Sequence, residues 1–216
     1  VTGNTGLTAL DLPALGTVGV EVVVTGNRLT ALDLTGLAAV PGDLRITDDG
    51  ALPIVDLARL ATVGGTLEIS RLPALDTLRN PDTIRTVGGD LLIEEDGQLR
   101  LFGAFAAVTS IGGSLRVRAT DVTHLDGFLE LTAVGGDLIV ADNPALFEIA
   151  GFEALTTIDG LYDIHGNTAL TRILAPPALV SVGSSLQIAA NPELEGLFGF
   201  PSLTGVGGSI TVTAMD

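Results

Sequence analysis

The 216-residue sequence contains no cysteine, no lysine and no tryptophan. Without cysteine there are no disulfides, no thiolate metal sites and no cysteine nucleophile, and the usual redox clue to compartment is missing. Positive charge is scarce: ten bases, all arginine, face 26 acids, for a net charge of −16. A pI near 4.2 without a basic stripe speaks against nucleic-acid binding and against anionic membranes. Long apolar runs are missing too. The stretch 101–108, LFGAFAAV, is among the longest and falls far short of the ~20 residues that span a bilayer, so no direct membrane insertion is expected. The chain opens VTGNTG, with no methionine, positive n-region or h-region, so any signal peptide is expected to lie outside it. What remains is apolar: 46% hydrophobic residues, 17% charged and 28 glycines, which excludes a disordered chain.

Internal repetition organises this composition. Glycine pairs at 64 and 65, 88 and 89, 112 and 113, 135 and 136, and 207 and 208 each precede a short alternating segment. Degenerate versions stand at 19–20, 41–42, 159–160 and 183–184. The blocks that follow start at 21, 43, 66, 90, 114, 137, 161, 185 and 209. That spacing gives eight full units of about 24 residues with a partial unit at each end, in a single domain over 1–216.

Columns through the units are nearly pure. The second position of each block reads Val22, Leu44, Leu67, Leu91, Leu115, Leu138, Tyr162, Leu186 and Ile210. The fourth reads Val24, Ile46, Ile69, Ile93, Val117, Val140, Ile164, Ile188 and Val212. Further pairs sit three apart, such as Leu75/Leu78, Leu99/Phe102 and Leu146/Ile149, and then Leu60/Val63, Ile84/Val87 and Leu155/Ile158. The L-x-I step is strand spacing on one face, and no segment keeps a 3.6-residue period over ten residues. Three inward segments joined by three turns describe one coil of a solenoid, whose apolar edges are buried only by stacking on neighbouring coils. The glycines are expected at corners with positive φ.

Two more columns stand out. Asn4, Asn27, Asn143, Asn167 and Asn191, with Asp49 and Asp96, follow the L-x-I strand; Leu72 and the region of Thr120 interrupt the series. Stacked asparagines satisfy backbone groups at a buried turn and tolerate a left-handed backbone. Phe105, Phe128, Phe152 and Phe200 form an aromatic column. Both read as internal scaffolding.

The pattern VGGxLxIxxNPxLxxLxGFxxLxxI, clearest in units 137–160 and 185–208, resembles the receptor L domain, the leucine-rich β-helix of insulin- and EGF-receptor-type ectodomains. Similar repeats occur in fungal cell-wall and bacterial surface proteins, and ordinary leucine-rich repeats are more distantly similar. The resemblance covers essentially the whole chain. It implies an all-β, right-handed parallel β-helix with three faces, extracellular or at the cell surface, used for binding or as structure. Receptor L domains usually carry cysteine-bridged, capped ends, and this chain has neither. It therefore reads either as part of a longer array or as a unit that stacks end to end, with open strand edges available for pairing.

Outward positions of the L-x-I sheet are where a ligand would read the solenoid. One outward column runs Val23, Arg45, Glu68, Leu92, Arg116, Ile139, Asp163, Gln187 and Thr211, and the next runs Thr25, Thr47, Ser70, Glu94, Arg118, Ala141, His165, Ala189 and Thr213. Neighbours ~4.8 Å apart predict the cross-strand pairs Arg45–Glu68 and Glu94–Arg118. The candidate ligand patch is Leu92, Glu94, Arg116, Arg118, Ile139, Asp163 and His165, suited to a protein or an acidic sugar; a solvated ladder of salt bridges is the other reading. Acidic turns at 48–50, 94–97 and 142–143 offer oxygen ligands for Ca²⁺, but none has EF-loop or calcium-nonapeptide spacing, so no metal is assigned. His124 and His165 lie on different faces, no G-x-S-x-G is present, and no catalytic residues or cofactors are assigned. The expected function is a non-enzymatic recognition or adhesion module at the cell surface, whose partners are a protein or glycan there. The alternative is a self-assembling solenoid that binds copies of itself end to end, and a carbohydrate-active enzyme comes third.

Overall fold

A computed structural model describes residues 1–79, 81–100 and 105–213. The chain is a parallel β-solenoid of about eight turns, essentially without helix; one 3-10 turn at Pro81–Thr83 stands among the strands. The L-x-I segments build a nine-stranded sheet from Val22–Thr25 to Ile210–Thr213, each strand pairing in parallel with its equivalent one turn along. Register is held without slippage: Leu67 faces Leu44 on one side and Leu91 on the other. The second face is an eight-stranded sheet of two-residue strands, from Ala39–Val40 to Gly205–Val206. The third face is broken into shorter sheets, the longest running from His124–Leu125 to Gly196–Phe198. Residues 1–20 touch all three faces, through Thr2, Ala9–Asp11 and Thr17.

The alternation read from the sequence is the burial pattern of the sheet. Leu67, Ile69, Leu91, Ile93, Leu115, Val117, Leu138 and Val140 are all at 0% exposure, while the residue between each pair is half-buried. Each inward side chain rests on its counterparts above and below, and together they form one continuous core. Phe102 and the last three residues, 214–216, lie outside the described residues.

The glycine pairs serve a different purpose from the one expected. At Gly88 a Cβ would lie 2.1 Å from the carbonyl oxygen of Gly64, and at Gly112 it would lie 2.2 Å from that of Gly88. None of these paired glycines has a positive φ. They are glycine because successive corners stack backbone on backbone, with Gly113 N donating to Gly89 O at 2.8 Å and Gly136 N to Gly113 O at 2.8 Å. Left-handed backbone sits elsewhere, at Gly3, Phe105, Gly151 and Gly199 and, above all, at the residue directly after the first eight L-x-I strands. Gly26, Asp48, Arg71, Glu95, Ala119, Asp142, Gly166 and Ala190 have φ between 52° and 69°. Six of these eight carry a side chain, at a cost of roughly 1–2 kcal/mol each in isolation, held in place by the coils on either side.

The polar column follows that left-handed residue and does not itself adopt the left-handed conformation. Most of its members follow one logic, accepting the amide of the equivalent residue one coil back. Asn167 Oδ1 accepts the backbone N–H of Asn143 at 3.0 Å, and Asn167 Nδ2 donates to the carbonyl of Val140 at 2.9 Å. Asn191 repeats the pattern, accepting from Asn167 N at 3.0 Å and donating to Ile164 O at 3.0 Å. Asn143 accepts from Thr120 N and donates to Val117 O, and Asn27 accepts from Asn4 N. Asp49 accepts from Leu29 N and Asp96 from Leu72 N. Leu72 and Thr120 interrupt the series of side chains, yet their backbone amides are held like the others. Burying the asparagines in a narrow core is tolerable because both their polar atoms are paired; Asp96, whose Oδ2 has no partner, is the exception.

The aromatic column is only partly a stack. Phe105, Phe128 and Phe152 are parallel, with centroids 5.8 and 5.4 Å apart. Phe200 instead meets Tyr162 edge-on at 5.8 Å, because Pro176 stands where the next ring would be. Burial pushes the Tyr162 hydroxyl well above its ordinary value.

Candidate functional site

Two outward rows cross four adjacent strands of the nine-stranded sheet. One runs Leu92, Arg116, Ile139, Asp163 and the other Glu94, Arg118, Ala141, His165, each in exact register through its neighbours' pairing. Six of the seven expected patch residues line one open depression of about 220 Å³: Glu94, Arg116, Arg118, Ile139, Asp163 and His165. Leu92 sits beside Arg116 but outside it. Ala141 completes the lining. It is buried, and a small residue between the longer Arg118 and His165 was the available signal.

The strand order sorts the chemistry into stripes. Arg116 and Arg118 stand two apart on Leu115–Arg118 and therefore share a face. Ile139 and Ala141 on Leu138–Ala141 form an apolar floor beside them. Asp163 and His165 on Tyr162–His165 make the far wall. Asp163 Oδ2 is 3.0 Å from His165 Nδ1. This contact places the ring proton on Nδ1 when the carboxylate accepts it, and leaves Nε2 free to meet a ligand or solvent.

Asp163 is the correction within the patch. It belongs to an outward row, yet it is only 7% exposed. Its second oxygen, Oδ1, is buried with no hydrogen-bond partner. Arg116 Nε is in the same condition. The expected Glu94–Arg118 pair does not form. Arg118 Nε turns to Asp142 Oδ2 at 3.2 Å, in the left-handed turn of the next coil. The Arg45–Glu68 pair does form, at 3.3 Å, and Arg45 also holds Asp43 at 2.9 Å. Of the three arginines within strands of this sheet, Arg116 is the one that has no acidic partner among the described residues.

The acidic turns are occupied by other work. Asp48 receives Arg71 through Nε at 2.7 Å and a terminal nitrogen at 3.0 Å, and that hydrogen bonding holds the Asp48 carboxyl below its usual range and raises the Arg71 guanidinium. Asp49, Asp96 and Asn143 belong to the buried ladder. Among the described residues, no three His, Asp or Glu side chains gather as a metal cluster would. His124 lies on the third face, beside Phe147. That face carries a second hollow, of about 330 Å³, lined by Phe147, Thr171, Arg172, Glu195, Gly196 and Phe198. The Phe198 ring lies where a Cβ of Gly196 would sit, and Arg172 is paired with Glu148. The sequence reading missed this hollow. Phe147 and Phe198, 47% and 59% exposed, fall just beyond the inward positions of their units, which was the signal for it.

Compared with known proteins, the chain matches no family profile, no curated protein and no solved structure.

Proposed function

We propose that this solenoid is a non-enzymatic recognition or adhesion module, working outside the cell or at its surface, that takes its ligand on the outward face of the nine-stranded sheet. The observation that carries this reading is the depression itself: cationic, apolar and carboxylate–histidine stripes from three neighbouring strands lie side by side on a rigid, register-locked support. The repeat pattern's resemblance to receptor L domains supports the cellular setting.

Binding suits the geometry better than hydrolysis. Glu94 and Asp163, the two carboxylates lining the depression, stand on strands three spacings apart, about 14 Å between backbones. Paired glycosidase carboxylates are roughly 5–10 Å apart. A glycan array and a panel of surface proteins, probed with the wild type and with the Arg116→Gln/Arg118→Gln double variant, test the reading. Binding that the double variant loses, with no ligand turnover, is expected. Undiminished binding by the variant, or turnover of the ligand, overturns it. In size-exclusion chromatography with light scattering, a monomer across concentrations is expected. Filaments that grow with concentration favour the second reading, coils of separate chains stacked end to end.

A further inference from the structure

Resting on that reading, we infer that the depression binds a single acidic sugar residue of the hexuronate class, with its carboxylate on Arg116 and Arg118, its ring over Ile139 and Ala141, and a hydroxyl donated to Asp163. Three observations converge on this chemistry.

The first is an unmet donor. Arg116 Nε is buried with no partner, while Arg118 spends its Nε on Asp142 and keeps its terminal nitrogens for another acceptor. Two guanidinium groups at i and i+2 of one strand stand about 7 Å apart at the backbone, and their forks match a carboxylate. The second is an unmet acceptor. Asp163 Oδ1 is buried without a partner on the opposite wall, so that wall calls for a donor, and His165 Nε2 offers a further polar contact beside it. The third is the floor. Half-buried Ile139, with buried Ala141 lining the depression beside it, separates the two walls, and an apolar floor suits the C–H face of a pyranose ring.

A hexuronate carries these groups in that order: carboxylate at one end, an apolar ring face, hydroxyls at the other edge. A simple inorganic anion would satisfy the arginines and leave Asp163 unmet. A neutral sugar would do the reverse. The size agrees as well, since about 220 Å³ is below the roughly 300–1,000 Å³ of pockets for drug-sized ligands.

The test is a chemical-shift titration of the isotope-labelled chain with glucuronate, with glucose as its neutral counterpart and acetate as the bare carboxylate. Glucuronate is expected to bind at least tenfold more tightly than either, shifting the amides of residues 115–118, 138–141 and 162–165. Arg116→Gln and Asp163→Asn are each expected to weaken it tenfold or more, with Arg172→Gln on the third face as an unaffected control and melting curves confirming that each variant is folded. Equal binding of glucose or acetate overturns the sugar-acid assignment while leaving the face as a binding site. The same follows if glucuronate fails but an acidic peptide binds in an Arg116-dependent way. Shifts that ignore both Arg116 and Asp163 overturn the assignment and the site together.

Discussion

Replacing Asp96 with asparagine should strengthen the solenoid, and by an amount that depends on pH. Asp96 is fully buried in the ladder. Its Oδ1 accepts the Leu72 amide at 2.9 Å, and its Oδ2 has no partner. Where asparagine stands in this column, the second atom is an amide nitrogen that donates to a strand carbonyl of the preceding coil, those of Val117, Val140 and Ile164. At Asp96 the equivalent carbonyl is that of Ile69, which only a protonated carboxyl can serve. Burial pushes the group up to about 8 from an ordinary 3.8; the Leu72 amide and Arg71 pull it down, and Glu95 and Glu94 push it further up.

Because the folded value is raised, the carboxyl's contribution is fully present below about pH 4 and is lost as pH rises through 8. Each pH unit in that window removes about 1.4 kcal/mol. Asparagine does not titrate. The stability difference between Asp96→Asn and the wild type should therefore be small near pH 4, reach about 4 kcal/mol at pH 7, and level off near 6 kcal/mol above pH 8. Urea unfolding of both proteins at pH 4, 5.5, 7 and 8.5 reads this directly, since the other carboxylates contribute equally to both and cancel. A difference that stays flat with pH, or a variant less stable than the wild type at pH 7, would refute the reasoning.

Gly112→Ala should cost several kcal/mol, because its Cβ would overlap a stacked carbonyl oxygen; Gly97→Ala, with nothing within 4 Å of its Cβ, should be neutral or gain up to about 1 kcal/mol in the same thermal melts. Ala119→Gly and Ala190→Gly, both at φ 52°, should each stabilise the protein by up to about 1 kcal/mol, since glycine adopts that backbone without penalty. Leu138→Asp places a charge in the core at a position with 0% exposure and should cost several kcal/mol, whereas Arg116→Ala on the outward row of the preceding strand should leave the melting temperature nearly unchanged; equal effects would contradict the assignment of inside and outside.

The period, the pure columns and the inward face of the L-x-I residues between Leu44 and Ile188 were legible because one coil's environment repeats in the next, so each position is sampled about eight times. The same averaging hid what is local. The glycine pairs looked like flexible corners, since sequence does not distinguish a glycine needed for its φ from one needed for its missing Cβ. The left-handed column was invisible because Arg71, Glu95 and Ala119 are unlike any residue that conformation favours. That six of the seven candidate residues share one depression was legible from reading adjacent units as adjacent strands. The burial of Asp163 and the turn of Arg118 toward Asp142 depend on how side chains share space across coils, which register alone does not set.

The ladder has a direction. Its later asparagines reach back to the backbone: Asn143 serves the amide of Thr120 and the carbonyl of Val117, Asn167 those of Asn143 and Val140, Asn191 those of Asn167 and Ile164. A coil is thus completed by its successor rather than by its own residues. In the folded solenoid each turn's buried amide is therefore met only where the next turn is in place. A mutation in the column injures the coil before the one that carries it.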